Sequence, residues 1–239
     1  MPIQSLPWDS AFFGYAVSRL NILGNDVSED ILKNELFDGK DSNYDVCYIY
    51  VYHNSDTISS FLHSAGAILY DHKVTFRKDL ISFEDCDPDK IVLELKELTQ
   101  EAIDIAISSG LYSRFYLDPH FKSKQPMLYK QWINNCFEHN NGKVFGINQN
   151  DELAAIAGSS VSGGVGHLEL IAVHPNYRRR GFAKRLIHAA ERFFLNSGAV
   201  AAEVVTQLNN SAACKTYQSC EYSMIETVDV WHFWKSKKM

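Results

Sequence analysis

The sequence predicts an α/β fold built on a central mixed, mostly antiparallel sheet and preceded by a smaller, partial α/β domain. Three observations predict it. Runs rich in β-branched and aromatic residues alternate with runs of helical spacing along the 239-residue chain. In the second half, three successive apolar runs are separated only by Asn, Gly and Ser turns, which reads as an antiparallel meander. The last of these runs stops at a proline, passes through His174-Pro175-Asn176-Tyr177-Arg178-Arg179-Arg180-Gly181-Phe182-Ala183, and opens a helix.

In the first half, strands are expected at Tyr48–Tyr52 and Ile68–Arg77. Between them Ser55 and Asp56 can cap a helix that runs to Ala65 and ends at Gly66. A strand–helix–strand order is the connection that parallel pairing needs. The opening segment Leu6–Gly14, with Trp8, Phe12 and Phe13, is expected to act as an apolar plug on the core. The acidic, proline-bearing stretch Glu84-Asp85-Cys86-Asp87-Pro88-Asp89 marks a seam, so the domains are drawn as 1–88 and 89–239.

The second half begins with a strand at Ile91–Leu95 and a helix capped by Thr99 that runs through Ser108 and stops at Gly110. A helix over Lys124–Phe137 carries Leu128, Trp132 and Ile133. The meander comes next as Val144–Ile147, Leu153–Val161 and His167–Val173. Leu186, Ile187, Ala190, Phe193 and Phe194 recur at helical spacing over Phe182–Asn196, and Gly198 ends that helix. A strand at Ala199–Val205, a helix over Asn210–Ser219 and a hairpin through Met224–Val228 and Val230–Trp234 complete the chain.

Composition narrows the function. A net charge of -6 gives no reason to expect a nucleic-acid partner, and the basic residues at 178–185 are a local cluster. No stretch approaches the roughly 20 apolar residues of a membrane span. Met1-Pro2-Ile3-Gln4 lacks the character of a signal peptide, so a cytoplasmic protein without a membrane partner is expected. Cys47, Cys86, Cys136, Cys214 and Cys220 are odd in number and show no C-x-x-C spacing, which points to reduced thiols. The histidines are scattered, and no metal is expected. A homodimer is among the assemblies the sequence allows.

The arginine-rich turn is a natural anion site. The first N–H groups of a helix lack internal partners, and the helix dipole adds positive charge at the same end. Gly181 and Ala183 carry almost no side chain, so a phosphate group can reach the backbone. Downstream, Asn210 and Tyr217 stand seven residues apart, about two helical turns, and so share one face of their helix.

Together, Arg-x-x-Gly-x-Ala after a strand end and Asn210 with Tyr217 resemble the GNAT (Gcn5-related) N-acetyltransferases, and the element order is that of the GNAT fold. The resemblance implies an acyltransferase with acetyl-CoA as acyl donor, a small-molecule amine as acceptor and direct transfer between them. It implies that the strand ahead of the turn splays from its neighbour. Backbone groups of Ile171, Ala172 and Val173 would then pair with the pantetheine arm. The N–H groups of Arg179, Gly181, Ala183 and Lys184 would hold the pyrophosphate, Arg178 or Arg179 would add charge, and Asn210 would help hold the cofactor. Tyr217 becomes the general acid that protonates the leaving thiolate. Glu169 or His167 becomes the base; a period of two puts both on the face of Ile171 and Val173. Where the family has Gly-Phe after this helix, the chain has Glu221-Tyr222, which bears on how the helix ends.

Two further segments, Leu6–Gly14 and Ser113-Arg114-Phe115-Tyr116-Leu117-Asp118-Pro119, are similar to those of the bacterial dTDP-fucosamine acetyltransferases, as is the layout of a partial GNAT-like domain before a full one. That resemblance implies a dTDP- or UDP-linked amino-dideoxy sugar as acceptor, used in surface polysaccharide synthesis. Arg114 would face the diphosphate, and Phe115, Tyr116 or Trp132 would flank a sugar or base.

Overall fold

Short polar side chains set where several helices begin. Ser28, Ser55, Thr99 and Ser113 each accept a hydrogen bond from the N–H three residues on, satisfying a donor that the helix leaves free. The structure, a computed structural model, describes residues 2–24, 27–38, 43–53, 55–80 and 89–235. In chain order its elements are β1 (Gln4–Ser5), α1 (Pro7–Phe13), β2 (Val17–Ile22), α2 (Glu29–Lys33) with a π-helical turn Asn34–Asp38, β3 (Val46–Val51), α3 (Asp56–Ser64) and β4 (Ile68–Asp79). Next come β5 (Val92–Glu94), α4 (Gln100–Ser108), a 3-10 turn Ser109–Tyr112, α5 (Arg114–Leu117), α6 (Gln125–Glu138), β6 (Gly142–Gln149), β7 (Glu152–Ser162) and β8 (Val165–Val173). A 3-10 turn Pro175–Tyr177, α7 (Phe182–Asn196), β9 (Ala201–Gln207), α8 (Ser211–Gln218) and β10 (Ser223–Trp234) close the order.

The chain packs as two compact units, one of Met1–Val74 with Glu226–Met239 and one of Thr75–Ile225. The seam expected at Glu84–Asp89 falls, except for Asp89, outside the described residues.

In the first unit β2 and β3 run parallel, from Val17 opposite Val46 to Ile22 opposite Val51. The polar residues Ser18, Arg19 and Asn21 interrupt the apolar signal of β2, which is why the sequence does not announce it. The strand–helix–strand unit β3–α3–β4 does not make neighbours, because β10 lies between β3 and β4. β10 pairs antiparallel with β3 from Asp229 opposite Val51 to Trp234 opposite Val46.

The expected C-terminal hairpin is therefore one continuous strand. Only Asp229 separates its two apolar runs, and no Gly, Asn or Pro is there to turn the chain. The buried Asp229 carboxylate accepts from His72 Nδ1 at 2.6 Å, so it can sit inside a strand. Leu20, Ile22, Leu32, Leu36, Ile49, Leu62, Trp231 and Phe233 form part of this unit's core. Of the expected N-terminal plug only Phe13 is buried; Trp8 stacks on Phe12 and is 48% exposed.

The second unit carries strands in the order β9-β8-β7-β6-β5, with antiparallel pairs throughout except β8 with β9. The 75–79 end of β4 flanks β9. A Cβ on Gly158 would meet Ile133 and Cys136 of α6, whereas one on Gly166 would overlap the Phe194 ring of α7. Gly158 lies on β7, and Gly166 pairs with Val161 of the same strand. Residues 158 and 161 face opposite sides, so α6 and α7 cover opposite faces of the sheet.

The buried stripe of α7 is Phe182, Leu186, Ile187, Ala190, Glu191 and Phe194, while Phe193 is only half-buried. Glu191 is fully buried, which helical spacing of apolar residues does not reveal; Lys78 Nζ and His188 Nδ1 each stand 3.1 Å from its carboxylate. A buried charge of this kind needs such partners.

Gly166 leaves the space that the Phe194 ring of α7 takes against the sheet. Gly166→Ala should destabilise the protein by about 1–3 kcal/mol through overpacking. Urea denaturation of the two proteins checks this, and an unchanged midpoint would show that Phe194 moves aside freely.

Candidate functional site

The site is built where two parallel strands part. β8 and β9 pair from Val165 opposite Ala201 to Leu168 opposite Val204, and the ladder stops there, although β8 runs on to Val173 and β9 to Gln207. On the other side of β8 the register shifts. Gly158 opposes Leu170 but Ser159 opposes Leu168, which leaves Glu169 as the extra residue of a β-bulge. A bulge bends its strand and sharpens the twist, and this one sits at the residue where β8 leaves β9. The splay expected from the sequence is present, and Ile171, Ala172 and Val173 lie along its β8 arm.

The bulge also corrects an expectation. A strict period of two would put His167 and Glu169 on the face of Ile171 and Val173, but the shifted register reverses parity across residue 169. His167 opposes Ser160, whereas Ile171 opposes Ala157, and residues 160 and 157 of β7 face opposite sides. Glu169 goes with His167: its carboxylate accepts from Ser160 Oγ at 2.6 Å. The Cys136 thiol of α6 is pushed up to about 12, first by burial and then by the Glu169 charge. Glu169 itself is exposed.

At the end of β8 the chain turns through Pro175–Tyr177 into α7. Arg179 at φ 63° and Gly181 at φ 81° take left-handed conformations, and nothing stands within 4 Å of where a Cβ on Gly181 would lie. No side chain caps α7. From Arg179 to Lys184 no backbone N–H finds an acceptor among the described residues; the ladder of α7 begins with Arg185 N–H to Gly181 O at 3.2 Å. Ala183 and Lys184 thus fall among these donors. Arg178 Nε donates to Val173 O at 3.2 Å, Lys184 Nζ donates to Ser219 O at 3.4 Å, and Arg185 grips both oxygens of Asp89 at 2.9 and 3.0 Å. An uncapped helix start with successive free donors and exposed guanidinium groups is suited to a group bearing two phosphates.

α8 begins beyond the tip of β9. Asn210 caps it, its side-chain oxygen accepting from Ala213 N–H at 3.3 Å. Tyr217 is buried with its ring 5.7 Å from Phe76 and 6.2 Å from Tyr222. Burial, and then the neighbouring Cys214 and Cys220, raise its pKa above the usual phenol range, so the hydroxyl keeps its proton throughout ordinary assay conditions. Neither Phe76 nor Tyr222 stood out in the sequence as part of this wall.

The segment expected to meet the acceptor gathers into an aromatic cluster. Phe115 is buried with its ring 6.1 Å from both Phe121 and Trp132, and the Arg114 guanidinium lies over it at 4.5 Å. Phe115 therefore supports Arg114 and Trp132 and offers no open face of its own. Tyr116 and Trp132 stay half-buried, with Lys122 over the Tyr116 ring at 4.5 Å. A cleft of about 690 Å³ lies elsewhere, lined by Glu101, Asp104, Ile105, Ser108, Glu152, His174, Pro175 and Asn176. Its carboxylates would repel a phosphate, so an anion belongs on the Arg179–Lys184 side of the turn.

Residues 110–222 match the family model of the acetyltransferase (GNAT) family. The match spans just under half of the chain and likens that segment to the family. With it the protein is an N-acetyltransferase. No curated protein matches the chain by sequence. Among solved structures, a GCN5-related N-acetyltransferase from Kribbella flavida is 13% identical, with a TM-score of 0.52 over 92% of this chain and 83% of that one. A functionally unknown conserved protein from Staphylococcus epidermidis is 9% identical, with a TM-score of 0.64 over 97% of this chain and 89% of that one. At such identities the likeness is one of fold. Among the described residues no helix is long and apolar enough to cross a membrane, and no cluster of three or more His, Cys, Asp or Glu residues is arranged to hold a metal ion. Cys47, Cys136, Cys214 and Cys220 are free thiols.

Glu221 takes φ 70° just after α8, in a left-handed conformation. Glycine adopts that conformation without strain, and the Lys78–Glu221 pair at 3.6 Å is exposed on the Glu side. Glu221→Gly should therefore raise stability by about 0.5–1 kcal/mol, read as a higher midpoint in thermal or chemical denaturation.

Proposed function

We propose that the protein transfers the acetyl group of acetyl-CoA to the amino group of a nucleotide-linked amino-dideoxy sugar, with dTDP or UDP as the nucleotide. The observation that carries the donor is the run of N–H groups from Arg179 to Lys184 that find no acceptor among the described residues, beside the parted strands β8 and β9. The diphosphate of CoA lies on those donors, with Arg179 and Arg178 adding charge and Asn210 closing the other side. The pantetheine arm runs along Ile171, Ala172 and Val173 as a strand would.

Glu169 is the better placed base. His167 still sits inside the ladder, opposite Glu203, whereas Glu169 is the bulge residue at the point where the strands separate. It takes a proton from the incoming amine, directly or through water. The amine nitrogen forms its bond to the thioester carbonyl carbon, the carbon–sulfur bond breaks, and Tyr217 gives its proton to the departing sulfur. A backbone N–H of the bulged strand supplies the donor for the carbonyl oxygen.

The sugar-nucleotide acceptor is supported by the likeness of Leu6–Gly14 and Ser113–Pro119 to enzymes of that class and by Arg114, Tyr116 and Trp132 grouped at one place. Thiol release from acetyl-CoA with a panel of amines tests it. The largest kcat/KM is expected for a dTDP- or UDP-4-amino-4,6-dideoxyhexose. Turnover of a polyamine, a peptide N-terminus or an aminoglycoside with none of any nucleotide sugar would overturn the acceptor, and CoA binding without any turnover would favour a sensor. Tyr217→Phe should lower kcat by roughly 10²–10⁴-fold with acetyl-CoA binding little changed; near-full activity would leave Tyr217 a packing residue.

A further inference from the structure

The turn that presents the free N–H groups is held from below by a contact outside the anion site. Tyr177, buried at the end of the 3-10 turn, donates its hydroxyl to Glu152 Oε2 at 2.6 Å. Its ring lies 5.2 Å beneath the Arg180 guanidinium and 5.8 Å from the His174 ring. Glu152 opens β7 just after Asn150 and Asp151, both left-handed at φ 54° and 62°. The next residue, Leu153, donates its N–H to Glu101 Oε1 of α4 at 2.9 Å, and His174 N–H reaches Ala154 O at 2.9 Å. The tip of the β6–β7 hairpin is thus anchored to α4 on one side and to the turn on the other.

A carboxylate is an unexpected neighbour for a turn that receives a diphosphate. Glu101, Asp104 and Glu152 line one cleft against His174–Asn176, and their charge opposes an anion nearby. The Tyr177 hydroxyl gives Glu152 a local task there. A charge-assisted O–H to carboxylate bond is short and strong, and it fixes the ring on which Arg180 rests.

We infer that Tyr177 and Glu152 are positioning residues for the acetyl-CoA diphosphate, bracing the turn so that its donors converge before the ligand arrives. Preorganisation of this kind lowers the ordering cost of binding. The inference rests on the reading of the Arg179–Lys184 turn as the diphosphate site. Neither residue touches the reacting atoms, so the effect falls on donor affinity and leaves the chemical step alone.

The test compares acetyl-CoA with S-acetyl-pantetheine, which carries the thioester and the arm but no diphosphate. Tyr177→Phe and Glu152→Ala should each raise the KM for acetyl-CoA, and the Kd for CoA by calorimetry, about 5–20-fold, less than the full loss of a hydrogen bond to a charged group because the contact acts through the turn. The kcat should stay within about twofold, and kcat/KM for S-acetyl-pantetheine should not change. Glu152→Gln keeps an acceptor oxygen for the tyrosine and should behave like the wild type. Equal losses with both donors, or a lower melting temperature with CoA affinity unchanged, would show that the contact serves the fold alone and would sink the inference. A wild-type protein that fails to bind CoA would defeat the diphosphate site itself, which separates that failure from this one.

Discussion

A parallel ladder that ends while both of its strands continue leaves a wedge of backbone without partners, and the second unit is arranged around that wedge. It opens at Leu168 and Val204. The single extra residue at 169 bends β8 where the pairing stops, so one local irregularity opens the gap and sets which side chain stands at its mouth. Continuous pairing to Val173 would close the groove and leave the turn above it with no path to the centre of the sheet. The helices on either face take their places accordingly: α7 starts at the open end, and α8 starts beyond the tip of β9.

The anion site and the tyrosine both arise from the way the chain leaves the two parted strands. After β8 it exits through a proline and two left-handed residues, so α7 begins without a cap and with its donors exposed. After β9 it exits through Asn210, which caps α8 and brings Tyr217 around two turns later between Phe76 and Tyr222. The first end gathers positive partial charge and the second delivers a protonated hydroxyl from a dry wall. In the proposed reaction the first holds the charged carrier and the second protonates the leaving sulfur.

The parts of this arrangement written in short-range signals were legible in the sequence. Ser55 and Thr99 act as caps where they were expected to, the meander β6–β7–β8 pairs antiparallel, and the Arg-rich turn opens α7. The illegible parts depend on distant partners. The bulge at Glu169 is set by the register against β7, and no residue type marks it. Asp229 looks like a turn residue until His72, far away in sequence, supplies its hydrogen bond. Glu191 looks solvent-facing until Lys78 is beside it. Tyr177 stood in plain view inside the motif, yet its partner Glu152 comes from another strand.

The insertion of β10 between β3 and β4 has a consequence for how the protein is made. Trp231 and Phe233 belong to the same core as Leu20 and Ile49, so that core stays unfinished until the final strand has left the ribosome. At about 5–20 residues per second the wait after Val74 is roughly ten to thirty seconds, during which the N-terminal strands present an open edge. The intervening unit has no need to wait, since its strands and helices lie in one uninterrupted stretch. Synthesis therefore lets the unit of Thr75–Ile225 mature before the unit whose two segments flank it in the chain.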